Sequence, residues 1–193
     1  MMFSTLPLVA TFALAASALP QGTSSSTSTS TGTSTGTSSA TPSSSSGSTS
    51  SGGVNIINNL NTTVYAVSTA STTGSGGTET LSSGGGSYSE NWQTTSDGSG
   101  ISIKLSTSED ESSVLQFEYT NDGSTLYWDL SSIDLDESSA FVKAGFSASG
   151  DSGCSASVNC AAGDADCAES YQNPDDVNTN SCDSSAQITL TLG

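Results

Sequence analysis

The chain has no histidine and no arginine, and its only basic side chains are Lys104 and Lys143, against 19 acidic residues. Without imidazole there is no Ser-His-Asp or Cys-His catalysis, and no histidine ligand for zinc or copper. A formal net charge of −17 repels phosphate backbones, so nucleic acid is excluded as a partner. Anionic membrane surfaces are disfavoured for the same reason. Basic partners, metal cations and neutral polymers such as polysaccharide stay open.

Long apolar runs are scarce as well. The run within "MMFSTLPLVATFALAASALP" extends from Phe3 to Ala16, contains Pro7 and falls short of the ~20 residues of a membrane span. It reads as a secretory signal peptide over residues 1–18. Ala16-Ser17-Ala18 fits the small-x-small cleavage pattern, although the usual basic residues ahead of it are missing. The stretch "AQITLTLG" is too short and too polar for a lipid-anchor signal. Export without a membrane anchor, to the extracellular space or the cell wall, is therefore expected.

Residues 19–53 read as a low-complexity stalk. From Thr23 to Ser51, 24 of 29 residues are Ser or Thr, so nothing here buries enough apolar surface to offset the entropy of ordering. In an exported protein this composition reads as a disordered, O-glycosylated spacer. Apolar character begins at Val54, and residues 54–193 suffice for one small domain with a core. Short alternating runs recur between Gly-, Asn-, Asp- and Ser-rich breaks. Strands are expected at "VNIIN", "TVYAVST", "TETLSS", "SYSENWQT", "GISIKLS", "SVLQFEYT", "TLYWDLS", "AFVKAGFSA" and "QITLTL". No stretch sustains a helical period, so the domain is expected to be all-β, a sandwich. Asn61-Thr62-Thr63 is an N-glycosylation sequon at a strand entrance.

Cys154, Cys160, Cys167 and Cys182 form an even set in the last quarter of an exported chain. That pattern argues for two disulfides and no metal site, with three pairings open. Asp164 and Asp166 in "GDAD" and Asp175 and Asp176 in "NPDD" offer oxygen ligands for calcium, but no twelve-residue calcium loop is present and Asx turns are the better reading. Glu109, Asp110 and Glu111 read as an exposed, solubilising loop. No cofactor is called for.

The stretch "VLQFEYTNDGSTLYWDLSSID" raises the sharpest question. A turn centred on Asp122-Gly123 would set Glu118 opposite Tyr127 and Gln116 opposite Asp129. Alternation sends Leu115, Phe117, Tyr119, Leu126, Trp128 and Leu130 to the core, and Gln116, Glu118, Thr120, Tyr127 and Asp129 outward. Glu118 and Asp129 then become diagonal neighbours, roughly 7–8 Å apart at the backbone, and Asp134 follows as the strand ends. A solvated sheet face is the plain reading. Like charges placed together cost stability, however, which invites a compensating role. Tyr88, Trp92, Tyr127 and Trp128 are candidates for sugar stacking where exposed, with core packing as the default.

"NNLNTTVYAV", "LSSGGGSYSENWQ", "FEYT…LYWDLSSID", "GCSASVNCAA" and "CAESYQNPDDVNTNSC", taken in order, resemble the thaumatin-like proteins. The likeness is to the small secreted fungal branch related to the Blastomyces yeast-phase-specific family. That resemblance implies a thaumatin-like β-sandwich over residues 54–193. It also implies the pairings Cys154–Cys182 and Cys160–Cys167. The six residues "AAGDAD" stand where larger members carry a second domain, so one wall of their cleft is expected to be lost. Leu60 and Gly193 stand about where a further disulfide of the family would be. The resemblance places Glu118, Asp129 and Asp134 on three positions of an acidic cleft associated with β-1,3-glucan. The expected function is non-enzymatic binding of wall β-1,3-glucan or of a host or extracellular-matrix surface protein, in the manner of an adhesin or antigen and as a monomer. The alternatives are a weak β-1,3-glucan hydrolase using Glu118 and Asp129, and a purely structural wall protein.

Overall fold

The computed structural model describes residues 52–70 and 73–193. The signal peptide expected at 1–18, and all of the expected stalk except its last two residues, lie outside the described residues. Eleven strands occur among the described residues. They are β1 (Gly53–Asn58), β2 (Val64–Ala70), β3 (Gly74–Leu81), β4 (Gly86–Asn91), β5 (Ile101–Ser106) and β6 (Leu115–Asp122), followed by β7 (Thr125–Ser131), β8 (Phe146–Gly150), β9 (Ser157–Cys160), β10 (Asn180–Asp183) and β11 (Gln187–Leu192). One short helix, α1 (Ala140–Ala144), precedes β8.

The strands form two sheets, ordered β4-β1-β11-β8-β9 and β10-β7-β6-β5-β2-β3. Every pairing is antiparallel except that of β1 with β11. The inward faces carry the alternating apolar residues. Ile103, Leu105, Phe117, Leu126, Trp128 and Leu130 of the larger sheet, with Ile56, Ile188 and Leu190 of the smaller, have no exposed surface. This is the two-layer solution for chains whose strands are apolar on one face only. Within it Trp92 stacks on Phe117 at 6.2 Å and Phe117 on Trp128 at 5.8 Å.

Three expectations need correction. The run "AFVKAGFSA" is not one strand. Its first five residues form α1, because Ser139 caps the helix by accepting a hydrogen bond from the Val142 amide. Gly145, at φ 81°, then ends it in a conformation a side chain rarely adopts. The strands β9 and β10 were not expected. They hold four residues each, too few to show a pattern, and form because neighbouring edges pair with them. The hairpin register also differs. Glu118 stands directly opposite Asp129, and Thr120 opposite Tyr127. The turn is Gly123-Ser124 between the paired Asp122 and Thr125, with Gly123 at φ 63°. A glycine at the first central position suits a type II′ turn, and it moves the partner by two residues. An even shift leaves every side chain on its expected face, so the core is unchanged.

Cys154 is joined to Cys182 and Cys160 to Cys167. The outer bridge ties β10 to the loop after β8, while β10 pairs with β7, where Trp128 Nε1 donates to Cys182 Sγ at 3.4 Å. The inner bridge closes a tight turn that lies on α1, Gly163 N donating to Val142 O at 2.7 Å. Leu60 and Gly193 do adjoin, since a Cβ built on Gly193 would meet Leu60 Cδ2 at 2.9 Å.

Because the turn needs a positive φ at Gly123, Gly123→Val should destabilise the domain by about 1–2 kcal/mol, read as a lower urea midpoint. An unchanged midpoint would show that the hairpin tolerates a different turn.

Candidate functional site

The outward face of the six-stranded sheet is polar because the inward face takes the apolar half of each alternation. Register lines its side chains up in rows across the strands. One row runs Ser75, Thr69, Ser102, Glu118, Asp129 from β3 to β7. The next runs Lys104, Gln116, Ser131, and on the other side Thr120 pairs with Tyr127, which pairs with Ser181. An open groove of about 430 Å³ lies over the first and third rows, lined by Thr69, Ser102, Glu118, Thr120, Tyr127, Asp129 and Thr179 among others. Directly opposed side chains in an antiparallel pair have their Cβ atoms ~4.5–5.5 Å apart. Glu118 and Asp129 are therefore closer than the diagonal placement expected from the sequence.

Their electrostatics follow from that crowding. Burial raises the Asp129 carboxyl, and the charge of Glu118 raises it further, to about 7. Its Oδ1 is buried without a hydrogen-bond partner among the described residues. Glu118 is also raised, first by burial and then by the charge of Asp134, with Lys104 pulling the other way. A carboxyl raised to about 7 beside a second carboxyl holds a proton well above the ordinary carboxylate range. Such a pair presents one donor and several acceptors to whatever occupies the groove.

Asp134 does not enter this groove. It is exposed and lines an adjoining depression with Lys104, Glu111 and Gln116, reaching Glu118 only through its charge. Lys104 Nζ lies 3.9 Å from Glu111. Of the four aromatic candidates only Tyr127 is well exposed, at 43%, and it borders the groove. Trp128 is fully buried. Trp92 packs on Phe117 and Tyr119, and its Nε1 donates to Ala186 O at 3.0 Å. Tyr88 donates to Glu90 Oε2 at 2.6 Å.

The sequence reading missed several participants. Lys104 was readable from the alternation of "ISIKLS", which sends it to the same face as Ser102. Glu90 accepts hydrogen bonds from both Tyr88 and Tyr119, and so ties β4 to the floor of the groove. No local pattern signals that link. Thr179 arrives from the segment between Cys167 and Cys182 and lines the groove at the β7 edge. This segment is zipped to the end of β7. Tyr171 N donates to Leu130 O at 2.9 Å, Ser132 N to Tyr171 O at 2.8 Å, and Tyr171 and Thr179 share a hydroxyl hydrogen bond of 2.8 Å. Thr179 and the segment that carries it therefore border the face at its β7 side.

The other acidic residues do local work. Asp176 Oδ2 accepts from the amides of Gln172 and Asn173 at 2.7 and 2.8 Å, and those bonds hold its carboxyl below the usual range. Asp110 is lowered chiefly by Ser108 and Ser112. Asp164 and Asp166 are exposed. Asn61 is exposed in the β1–β2 turn.

Comparison with known proteins agrees with this architecture. The model of the family described as Blastomyces yeast-phase-specific protein matches residues 41–193. A secreted thaumatin-like protein, calA, of Emericella nidulans is 50% identical over 143 residues, covering 74% of this chain and 82% of that one. An antigenic thaumatin-like protein of Arthroderma benhamiae is 37% identical over 108 residues, covering 55% and 53% respectively. The crystal structure of the protein elicitor MoHrip2 from Magnaporthe oryzae superposes with a TM-score of 0.61 at 26% identity, covering 73% of this chain and 98% of that one.

The raised Asp129 carboxyl makes a signed prediction. The folded chain holds a proton that the unfolded chain releases near 3.8, so this contribution to stability is full below that value. It drains away as pH rises to about 7. Glu118, shifted the same way, adds to the trend. The lowered Asp110, Asp176 and Asp183 lose stability as pH falls, below this window. Asp129→Asn should thus gain stability relative to the parent progressively across the window, measured by urea unfolding at several pH values. A difference that stays constant with pH would contradict the raised carboxyl.

Proposed function

This chain belongs to the Blastomyces yeast-phase-specific protein family, whose relatives include secreted thaumatin-like proteins of fungi, and from that premise we propose that it is an extracellular, non-enzymatic protein that binds β-1,3-glucan through the outward groove of its larger sheet. The observation that carries this reading is the opposed Glu118–Asp129 pair beside the exposed Tyr127 ring in an open polar groove. A neutral polysaccharide offers vicinal hydroxyls and an apolar face of C–H groups. Carboxyls, the hydroxyls of Thr69, Ser102, Thr120 and Thr179, and an aromatic ring are the complementary set. The unpartnered Asp129 Oδ1 gains a donor when a sugar hydroxyl arrives, which removes a desolvation cost that the free protein bears. An uncharged polymer also suits a chain of net charge −17, because no like-charge repulsion opposes its approach.

Binding is favoured over hydrolysis on physical grounds. A paired-carboxylate hydrolase needs one acid held protonated and the other ionised at a set separation, in a site that excludes water. Here the groove is open and no arginine exists to hold a substrate oxygen. Lys104 and Asp134 act on Glu118 from the side of the groove, tuning its charge. The protein would act as a monomer, each copy presenting one groove.

Retention on insoluble β-1,3-glucan is the direct measurement. The combined Glu118→Gln and Asp129→Asn variant should lose retention. Tyr127→Ala should weaken it about three- to tenfold, the size of one ring contact. Reducing-sugar release from soluble glucan should stay at background. Unchanged retention by the double variant would refute binding through this face.

A further inference from the structure

We propose that Asn61 carries an N-linked glycan whose first sugars lie in an apolar groove beside it, so that the glycan becomes part of the packing of the domain. Asn61-Thr62-Thr63 is the only Asn-x-Ser/Thr sequon in the chain, and in a secreted protein such a sequon meets the glycosylation machinery. Asn61 is exposed, and its side chain makes no hydrogen bond to any described residue. The turn that presents it is firmly held. The fully buried Asn58 donates through Nδ2 to Thr62 O at 2.9 Å and Leu81 O at 3.0 Å, and its Oδ1 accepts from Leu60 N at 3.1 Å. Gly84 N adds a bond of 2.8 Å to Leu60 O.

Asn61 is itself one edge of a groove of about 440 Å³, a size suited to a small ligand. Leu60, Ala140 and Ala144 supply apolar surface, while Asn59 and Lys143 carry the polar groups. None of these residues borders the Glu118–Asp129 groove. An N-acetylglucosamine unit matches the mixture. Its C–H face and acetamido methyl suit the alanines and Leu60, and its hydroxyls suit the Lys143 ammonium and the Asn59 amide. The occupant is identified by tethering. A sugar linked to Asn61 begins at the groove's own wall, so it meets the apolar surface at a high effective concentration and without the cost of free association. The cavity is built on the rigid turn and on α1, which Ser139 and Gly145 bound at either end.

The test uses the full chain secreted from a yeast host. Mass spectrometry should find Asn61 occupied. Asn61→Gln should lower the thermal midpoint by roughly 3 °C, and trimming with an endoglycosidase that leaves one N-acetylglucosamine should retain most of that difference. Ala144→Lys, which fills the groove, should lower the midpoint of the glycosylated chain and leave that of the Asn61→Gln chain unmoved. An unoccupied Asn61 would overturn the proposal. An Ala144→Lys shift equal in the two backgrounds would also overturn it, because the glycan would then not touch the groove.

Discussion

The stack of Trp92, Phe117 and Trp128 between the sheets is the constraint on which the rest depends. The three rings lie nearly parallel, with centroids 6.2 and 5.8 Å apart, and the last two have no exposed surface. Large aromatic side chains dominate the burial of a small domain, so β6 and β7 cannot turn over without exposing them. Period-two geometry then leaves no freedom on the other face. Once Phe117 and Trp128 point inward, Glu118 and Asp129 must point outward. The core thus sets the chemistry of the surface groove, and its Ile101 and Tyr119 reach the groove's lining.

Two further sets of links border that face and turn it into a groove. The pairing of β10 with β7 and the buried Ser132–Ser170 hydroxyl pair at 2.8 Å hold the late segment of the chain along β7, and the Cys154–Cys182 bridge ties it to the loop after β8. Thr179 lines the groove from that segment. Glu90 accepts from Tyr88 and Tyr119 and steadies the underside. Bridges and hydrogen bonds between distant segments thus fix the borders of the groove, and for the proposed glucan binding a fixed border lowers the ordering cost.

The acidity of the chain divides into two populations that differ in sign. Asp110 and Asp183 are exposed and Asp176 is half-buried; all three accept hydrogen bonds from nearby amides or hydroxyls, and their carboxyls are lowered. They stabilise turns in their ionised form. Glu118 and Asp129 are half-buried, opposed and raised. Burial and neighbouring carboxylate charge, rather than a hydrogen-bonded turn, set the direction of their shifts. Composition shows only the total charge; the direction of each shift separates turn-formers from the groove pair.

Alternation and turn residues made much of this protein legible in one dimension. The all-β class, the inward residues of β5, β6 and β7, and the outward placement of Glu118, Tyr127 and Asp129 all follow from a two-residue period that no tertiary contact can reverse cheaply. What alternation cannot carry is register. Sliding by two residues preserves both faces, and a positive φ at Gly123 suits a turn on Asp122-Gly123 as well as one on Gly123-Ser124. Asp122 stays out of the positive-φ region and pairs with Thr125, and that pairing sets Glu118 squarely against Asp129. Short elements escaped for a related reason. The segments of β9 and β10 have no preference strong enough to show in four residues, and α1 depends on Ser139 and Gly145 at its ends. The wall at Thr179, the tie at Glu90 and the displacement of Asp134 to a neighbouring depression join residues far apart in the chain. Local sequence determined which side chains face out. Only the packing of distant segments against them decided which of those side chains share a groove.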